Sequence, residues 1–289
     1  MIPDALNMLA RPDLDRPRMI LGFTGWMDGG DVSTGTVNTL LSKLDAEVLA
    51  DIRPEEFYIY GSPGSMETSA LFRPHAAISE GLLQAYQPPV SRFYSCPDDR
   101  LILFEGREPN LHWPEYAECI LTVAEEFGTE AIYFVGSVAG VVPHTRDPRL
   151  FASVSRPELH EQIERIGARP SDYEGPASFV THLTHVAGER EIDLYSLVAE
   201  IPAYIRGTNP RCIEAMVRRL AAILGIQIEN ADLRAASDAF ERKINQLATK
   251  REELGELIEK LESEYDNELF DTQMSDLKDW LEERGLRLD

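Results

Sequence analysis

Cysteine is scarce in this 289-residue chain: Cys96, Cys119 and Cys212 lie far apart, are odd in number and show no CxxC spacing. That excludes a disulfide framework, suggests no zinc site, and fits a reducing cytoplasm. Positive charge is also short. Lys and Arg total 28 against 50 Asp and Glu, a formal net charge of -22 at pH 7. Such a surface repels phosphate backbones and anionic headgroups, so neither nucleic acid nor a membrane is the expected partner. No uncharged apolar run reaches the roughly 18 residues of a membrane-spanning helix. Met1-Ile2-Pro3-Asp4 offers no basic segment ahead of an apolar one, so the chain reads as neither exported nor membrane-spanning. Dinucleotide and P-loop fingerprints, internal repeats and low-complexity blocks are missing as well.

What is present is a globular composition, 43% hydrophobic, enough for one large core or a core with an appendage. Strand-like and helix-like patterns alternate through roughly the first three quarters, which predicts an α/β layered domain. Strands are expected at 18–23, 46–52, 56–60, 92–96, 101–105, 131–136, 150–155 and 193–201. Helices are expected near Asp31 and at 114–127, 157–166, 176–187 and 210–224. Val37, Leu40, Leu41 and Leu44 give the first helix an apolar face. Several helices carry proline in their first turn, where its missing N–H costs nothing.

The composition changes after Gly225, so the expected division is an α/β domain at 1–228 and an acidic helical tail at 229–289. Leu233, Phe240, Leu247, Leu254 and Leu261 recur every seventh residue, interleaved with Ser237, Ile244, Arg251, Ile258 and Tyr265. That heptad seam, with polar defects at Ser237 and Arg251, predicts one long helix that must be covered by something. Asp266-Asn267-Glu268 is the expected turn into a second helix at 271–284, whose Met274, Leu277, Trp280 and Leu281 could fold back. Ile244, Leu247, Leu254, Ile258 and Leu261 are the candidate partner contacts. Packing on the chain's own domain is the alternative.

In an open α/β sheet ligands bind beyond the carboxyl ends of the strands, so the loops that follow the strands are the expected places for a site. Gly25-Trp26-Met27-Asp28-Gly29-Gly30 reads as a tight turn or a weak phosphate cradle. Glu105-Gly106-Arg107-Glu108, with His112 and Trp113 beyond, offers paired carboxylates for acid–base work or plain ion pairing. Pro143-His144-Thr145-Arg146 could bind an anion, or tie down a loop. Glu174 precedes a helix and could cap it. The candidate ligand cleft is thus Trp26, Asp28, Glu105, Glu108, His112, Trp113, His144, Arg146 and Glu174. Catalysis, were there any, would fall to His144, Arg146, Asp28, Glu105 or Glu108. His182 and His185, three apart on one helix, lack a third ligand by spacing, so no metal is expected. Gly136-Ser137-Val138-Ala139-Gly140 is not a nucleophile elbow. No cofactor is expected.

These loops, with Phe57-Tyr58, Tyr173-Glu174-Gly175-Pro176, Ile201-Pro202-Ala203-Tyr204 and Asn209-Pro210, occur in the order found in one family. Over about residues 15–225 the chain resembles the proteasome-assembly-chaperone family of the second-subunit type, in its actinobacterial branch. Relatives have been labelled ATP-grasp or carboxylate–amine ligases, a label that the missing phosphate loop does not support. The resemblance implies a three-layer α/β/α sandwich of phosphorylase/hydrolase-like topology, homo-oligomers, and scaffolding in proteasome assembly for some members. Archaeal members that dock on proteasome rings end in a hydrophobic-tyrosine-any-residue tail. This chain ends Leu286-Arg287-Leu288-Asp289, so docking by that route is not expected. The leading expectation is a non-enzymatic scaffold with protein partners, proteasome subunits among them. The alternative is a small-molecule-binding protein, or a hydrolase- or phosphorylase-like enzyme, using Asp28, Glu105, His144 and Arg146.

Overall fold

The computed structural model describes residues 3–283, with side chains through Asp271 and at Met274. In chain order the elements are β1 (Leu6–Met8), β2 (Arg18–Thr24), α1 (Val32–Lys43), β3 (Glu47–Ile52), α2 (Met66–Ala70), β4 (His75–Ser79), β5 (Leu82–Gln87), β6 (Arg92–Cys96), β7 (Leu101–Arg107), α3 (Trp113–Glu126), β8 (Ala131–Gly140), β9 (Leu150–Val154), α4 (His160–Arg165), β10 (Arg169–Pro170), α5 (Phe179–Glu189), β11 (Leu194–Pro202), α6 (Pro210–Leu224), α7 (Ala231–Thr249) and α8 (Glu252–Glu283). Nine strands form one sheet in the order β1-β3-β6-β7-β2-β8-β11-β9-β10. Strands β7, β2, β8 and β11 are mutually parallel. Their apolar runs follow from burial on both faces, as parallel sheets require.

Side chains alternate between two cores. Met19, Leu21 and Phe23 of β2 point to one face, where they meet α3 and α5, while Ile20 points to the other, with α1, α4 and α6. The result is a three-layer α/β/α arrangement. Gly22 lets α1 lie close on the sheet, because a Cβ there would sit 2.6 Å from a methyl of Val37. The three cysteines are free and buried, and burial pushes each thiol up to about 12.

Most of the expected strands and helices are found, with three corrections. Residues 56–60 are not a strand: Phe57 and Tyr58 are buried, but the backbone turns there, with Phe57 N donating to Pro54 O. The apolar pair plugs the end of α3 instead, Tyr58 Oη lying 2.9 Å from Ser91 Oγ and 3.2 Å from Tyr116 Oη. Helix α5 starts at Phe179 rather than at Pro176, because Ser178 and Thr181 form a reciprocal capping box. The tail is not one helix with a turn at 266–268. It breaks at Lys250 and Arg251, and α8 runs through 266–268 without interruption. The break falls on the polar defect at Arg251, followed by Glu252 and Glu253 in the first turn of α8, where carboxylates favour a helix start. The side chains of Leu277, Trp280 and Leu281 lie outside the described ones, as do residues 284–289 altogether. Among the described residues no helix is long and apolar enough to cross a membrane.

Candidate functional site

The turn after β2 is laced to its neighbours by backbone contacts. Ser137 N donates to Met27 O at 2.8 Å and Ser137 Oγ to Gly29 O at 2.6 Å, pinning the turn to β8. Glu108, just past β7, receives Trp26 N at 2.9 Å on one oxygen and Phe179 N at 2.9 Å on the other. One carboxylate therefore joins this turn to the N-terminus of α5, where negative charge is favoured. Gly25 is required beside it: its φ is 146°, and a Cβ would lie 2.8 Å from Glu108. Asp28 accepts Thr34 N at 3.1 Å and Thr34 Oγ1 at 2.8 Å, an arrangement that satisfies the first turn of α1. Burial pushes its carboxyl up to about 6, against the lowering effect of the Thr34 bonds.

His144 and Arg146 stand in a different environment, beneath the C-terminal helices. His144 N donates to Tyr204 Oη at 2.8 Å, so the hydroxyl proton is free to go to His144 Nδ1, also at 2.8 Å. Nε2 then carries the ring proton and donates to Asn245 Oδ1 of α7 at 3.1 Å. The imidazole is 2% exposed, and burial lowers its pKa, keeping it neutral at pH 7. Arg146 makes a bidentate pair with Asp266 of α8, both bonds 2.8 Å, and approaches Glu262 at 3.5 Å. Thr145 bonds Glu262, Arg211 bonds Glu241, and Arg149 and Arg169 both reach Glu268. Tyr265 Oη donates to Asp147 O at 3.0 Å. The acidic tail is thus latched onto an arginine-bearing edge of the α/β layers.

The nine candidate cleft residues do not share one cavity. Trp26, Asp28 and Glu108 lie around the β2 turn. Glu105 shares the face of Leu101 and Leu103, opposite Arg92 on β6. His112 sits in the left-handed region with φ 53° at the start of α3, 3.9 Å from Glu115. Trp113 donates to Pro109 O at 2.9 Å and packs edge-on against Phe179. Glu174 is exposed in the segment ahead of α5. Of the tail positions, Ile258 and Leu261 are buried within the chain, Ile244 and Leu254 are half-buried, and Leu247 is exposed.

Two features were not read from the sequence. One is a cavity of about 620 Å³ on the α5 face of the sheet, floored by β8, β9 and β11 and flanked by Trp26 and Tyr173. Its signal was a serine on the α5 face of two neighbouring strands, Ser153 in β9 and Ser196 in β11, each between apolar neighbours. The other is an arm at 66–87. Strands β4 and β5 pair only with each other among the described residues, joined by Glu80 and Gly81 with φ of 50° and 78°. That is a two-residue hairpin turn with left-handed residues. Met66, Leu71, Ile78, Leu82, Leu83 and Tyr86 are exposed on it.

Comparison with solved structures finds the same fold elsewhere. A Mycobacterium tuberculosis protein of unknown function superposes with a TM-score of 0.80 at 21% identity, covering 95% of this chain and 93% of that one. A Mycobacterium tuberculosis proteasome-assembly chaperone homologue gives 0.73 at 25% identity, covering 83% and 99%. A PAC2 family protein from Streptomyces avermitilis gives 0.71 at 25% identity, covering 84% and 99%. A comparison with curated proteins finds no match. Residues 22–248 match the PAC2 family, a span from the end of β2 through nearly all of α7, and on that match the chain belongs to the PAC2 family.

Proposed function

We propose that this protein is an assembly-chaperone-like scaffold that works in the cytoplasm through protein–protein contacts, with proteasome subunits as the partner class and self-association as part of its action. Residues 1–228 would form the α/β body and 229–289 a helical appendage latched to it. Family membership and the proteasome-assembly chaperone homologue among its structural relatives support the class of role. The observation that carries the reading is the 66–87 arm. An isolated two-stranded hairpin is marginal in water, yet Ile78, Leu82 and Leu83 are each more than 60% exposed on this one. A protein surface covering the arm would bury them, at about 25 cal/mol per Å² of apolar area removed from water.

The rival reading, a strand-end enzyme site, has weaker support. His144 and Arg146 spend their hydrogen bonds on Tyr204, Asn245 and Asp266, while Asp28 serves Thr34. The test is affinity purification with quantitative mass spectrometry, comparing the native chain with a Leu83→Asp/Tyr86→Asp variant. Enrichment of proteasome subunits by the native chain alone supports the proposal. Recovery of the same proteins by both, or of the bait alone by both, would overturn it.

A further inference from the structure

The cavity beneath Trp26 and Tyr173 lies on a part of the sheet that no helix covers completely. Its floor is Val138 of β8, Ser196 and Val198 of β11, and Phe151 and Ser153 of β9. One wall is α5, through Thr181, Thr184 and His185. Ser153 and Ser196 are register partners on adjacent antiparallel strands, which sets their side chains next to each other on one face.

Three properties identify what the cavity would hold. The first is unspent hydrogen bonding. Ser178, Thr181 and Thr184 bond within α5 and its cap, and Ser155 bonds Ile192 O. Ser196 is only 5% exposed and lines the cavity, yet neither its hydroxyl nor that of Ser153 or Ser171 makes a hydrogen bond within the described chain. Ser196 is buried, so its hydroxyl calls for a partner from the cavity, while Ser153 and Ser171 are exposed and add two uncommitted hydroxyls to the lining. The second is charge. In a chain of net charge -22 the lining holds no Asp, Glu, Lys or Arg, and its one imidazole, His185, is exposed, 3.5 Å from Glu189. A charged ligand would lose its hydration there without a counter-charge. The third is shape. The volume falls in the range of small-molecule sites, and Trp26 and Tyr173, each 66% exposed at the mouth, offer aromatic faces to a ring.

We infer that this cavity is a binding site for an uncharged ring compound bearing an amide or hydroxyl group, its polar end on Ser196, Ser153 and Ser171 and its ring at Trp26 and Tyr173. The site goes beyond the scaffold role, shares only Trp26 with the nine-residue candidate cleft expected from the sequence, and needs no catalysis.

The test is saturation-transfer NMR on the full chain with benzamide, indole-3-acetamide and cyclohexanol, each set against its carboxylate counterpart: benzoate, indole-3-acetate and cyclohexanecarboxylate. Saturable binding of at least one uncharged member is expected, with about a tenfold preference over its carboxylate, equivalent to ~1.4 kcal/mol. Trp26→Ala and Tyr173→Ala, both at the surface, should each weaken it several-fold without changing the melting temperature. Ser196→Leu, which fills the floor and removes the hydroxyl, should abolish it. Equal binding of the carboxylates, no saturable binding by any uncharged member, or affinity indifferent to both mouth variants would overturn the assignment.

Discussion

The guanidinium of Arg146 and the carboxylate of Asp266, 120 residues apart in the chain, close on each other through two parallel bonds of 2.8 Å. Around that pair Glu241 of α7 meets Arg211 of α6, and Glu268 of α8 meets Arg149 and Arg169. The tail's excess negative charge is directed at the body of the same molecule.

Breaking this pair should loosen the tail while leaving the body folded. Limited proteolysis of Arg146→Ala is expected to cut α8 faster than in the native chain, with the melting transition of the sheet little changed. Raising salt from 0.1 to 1 M shortens the screening length from about 10 to about 3 Å and should speed cleavage of the native tail more than that of the variant. Identical cleavage rates at both salts in both proteins would show that the ion pairs do not hold α8.

His144 makes the same docking pH-sensitive. Its pKa in the folded state is lowered by burial, with Asn245, Glu241 and Glu262 opposing and Arg211 reinforcing. A depressed pKa stabilises the neutral form, so the contribution is full above about 6.5, the unfolded value. It is lost as pH falls below that toward the folded pKa. Hydrogen exchange in α7 should therefore accelerate on going from pH 7 to pH 5, once corrected for intrinsic rates. In His144→Gln that acceleration should be absent.

Asp28 works in the opposite sense. Its carboxyl is raised to about 6, so the folded state holds a proton that the unfolded chain releases near 3.8. Stability from this group is complete below the unfolded value and is lost as pH rises through about 6. Asp28→Asn should flatten this part of the stability profile and, at pH 8, raise stability by on the order of 1 kcal/mol, given the solvent at the turn. Urea midpoints at pH 4.5 and pH 8 measure both effects, and a variant less stable than the native chain at pH 8 would contradict the expectation.

Glu108 holds two backbone amides from different segments, and its loss should be felt at both. Glu108→Ala is expected to cost about 2 kcal/mol, from charge-assisted bonds given up by Trp26 N and Phe179 N. Glu108→Gln, which keeps an acceptor, should cost less than half of that. Urea unfolding gives the free energies, and the emission of Trp26 reports the turn directly.

The layered α/β architecture was legible because the signals behind it are local. Apolar runs such as Met19 to Leu21 and Leu101 to Phe104, short and bounded by polar residues or glycine, have the pattern of strands covered on both faces, and proline at the first turns of α3 and α6 marks helix starts. Acids and bases in the strand-end loops were equally visible. Their uses were not, since one residue type can serve a ligand, a cap or an ion pair, and only its neighbours decide. The Phe57-Tyr58 pair misled for a related reason: an apolar pair says that it is buried, not that it is extended.

Local signals alone were enough for most strands of the main sheet and the helices packed on it, and for an acidic, helical last quarter with an apolar seam. Backbone propensity and side-chain period act within a dozen residues, and those features depend on nothing more. The tertiary structure decided where the seam goes. It broke the tail at Arg251, buried Ile258 and Leu261 in the chain's own surface, and spent His144 and Arg146 on α7 and α8. It also paired Ser153 with Ser196 across strands 43 positions apart and left the 66–87 arm standing clear. Each of these depends on contacts between distant segments, whose free energy is settled only when the whole chain has packed.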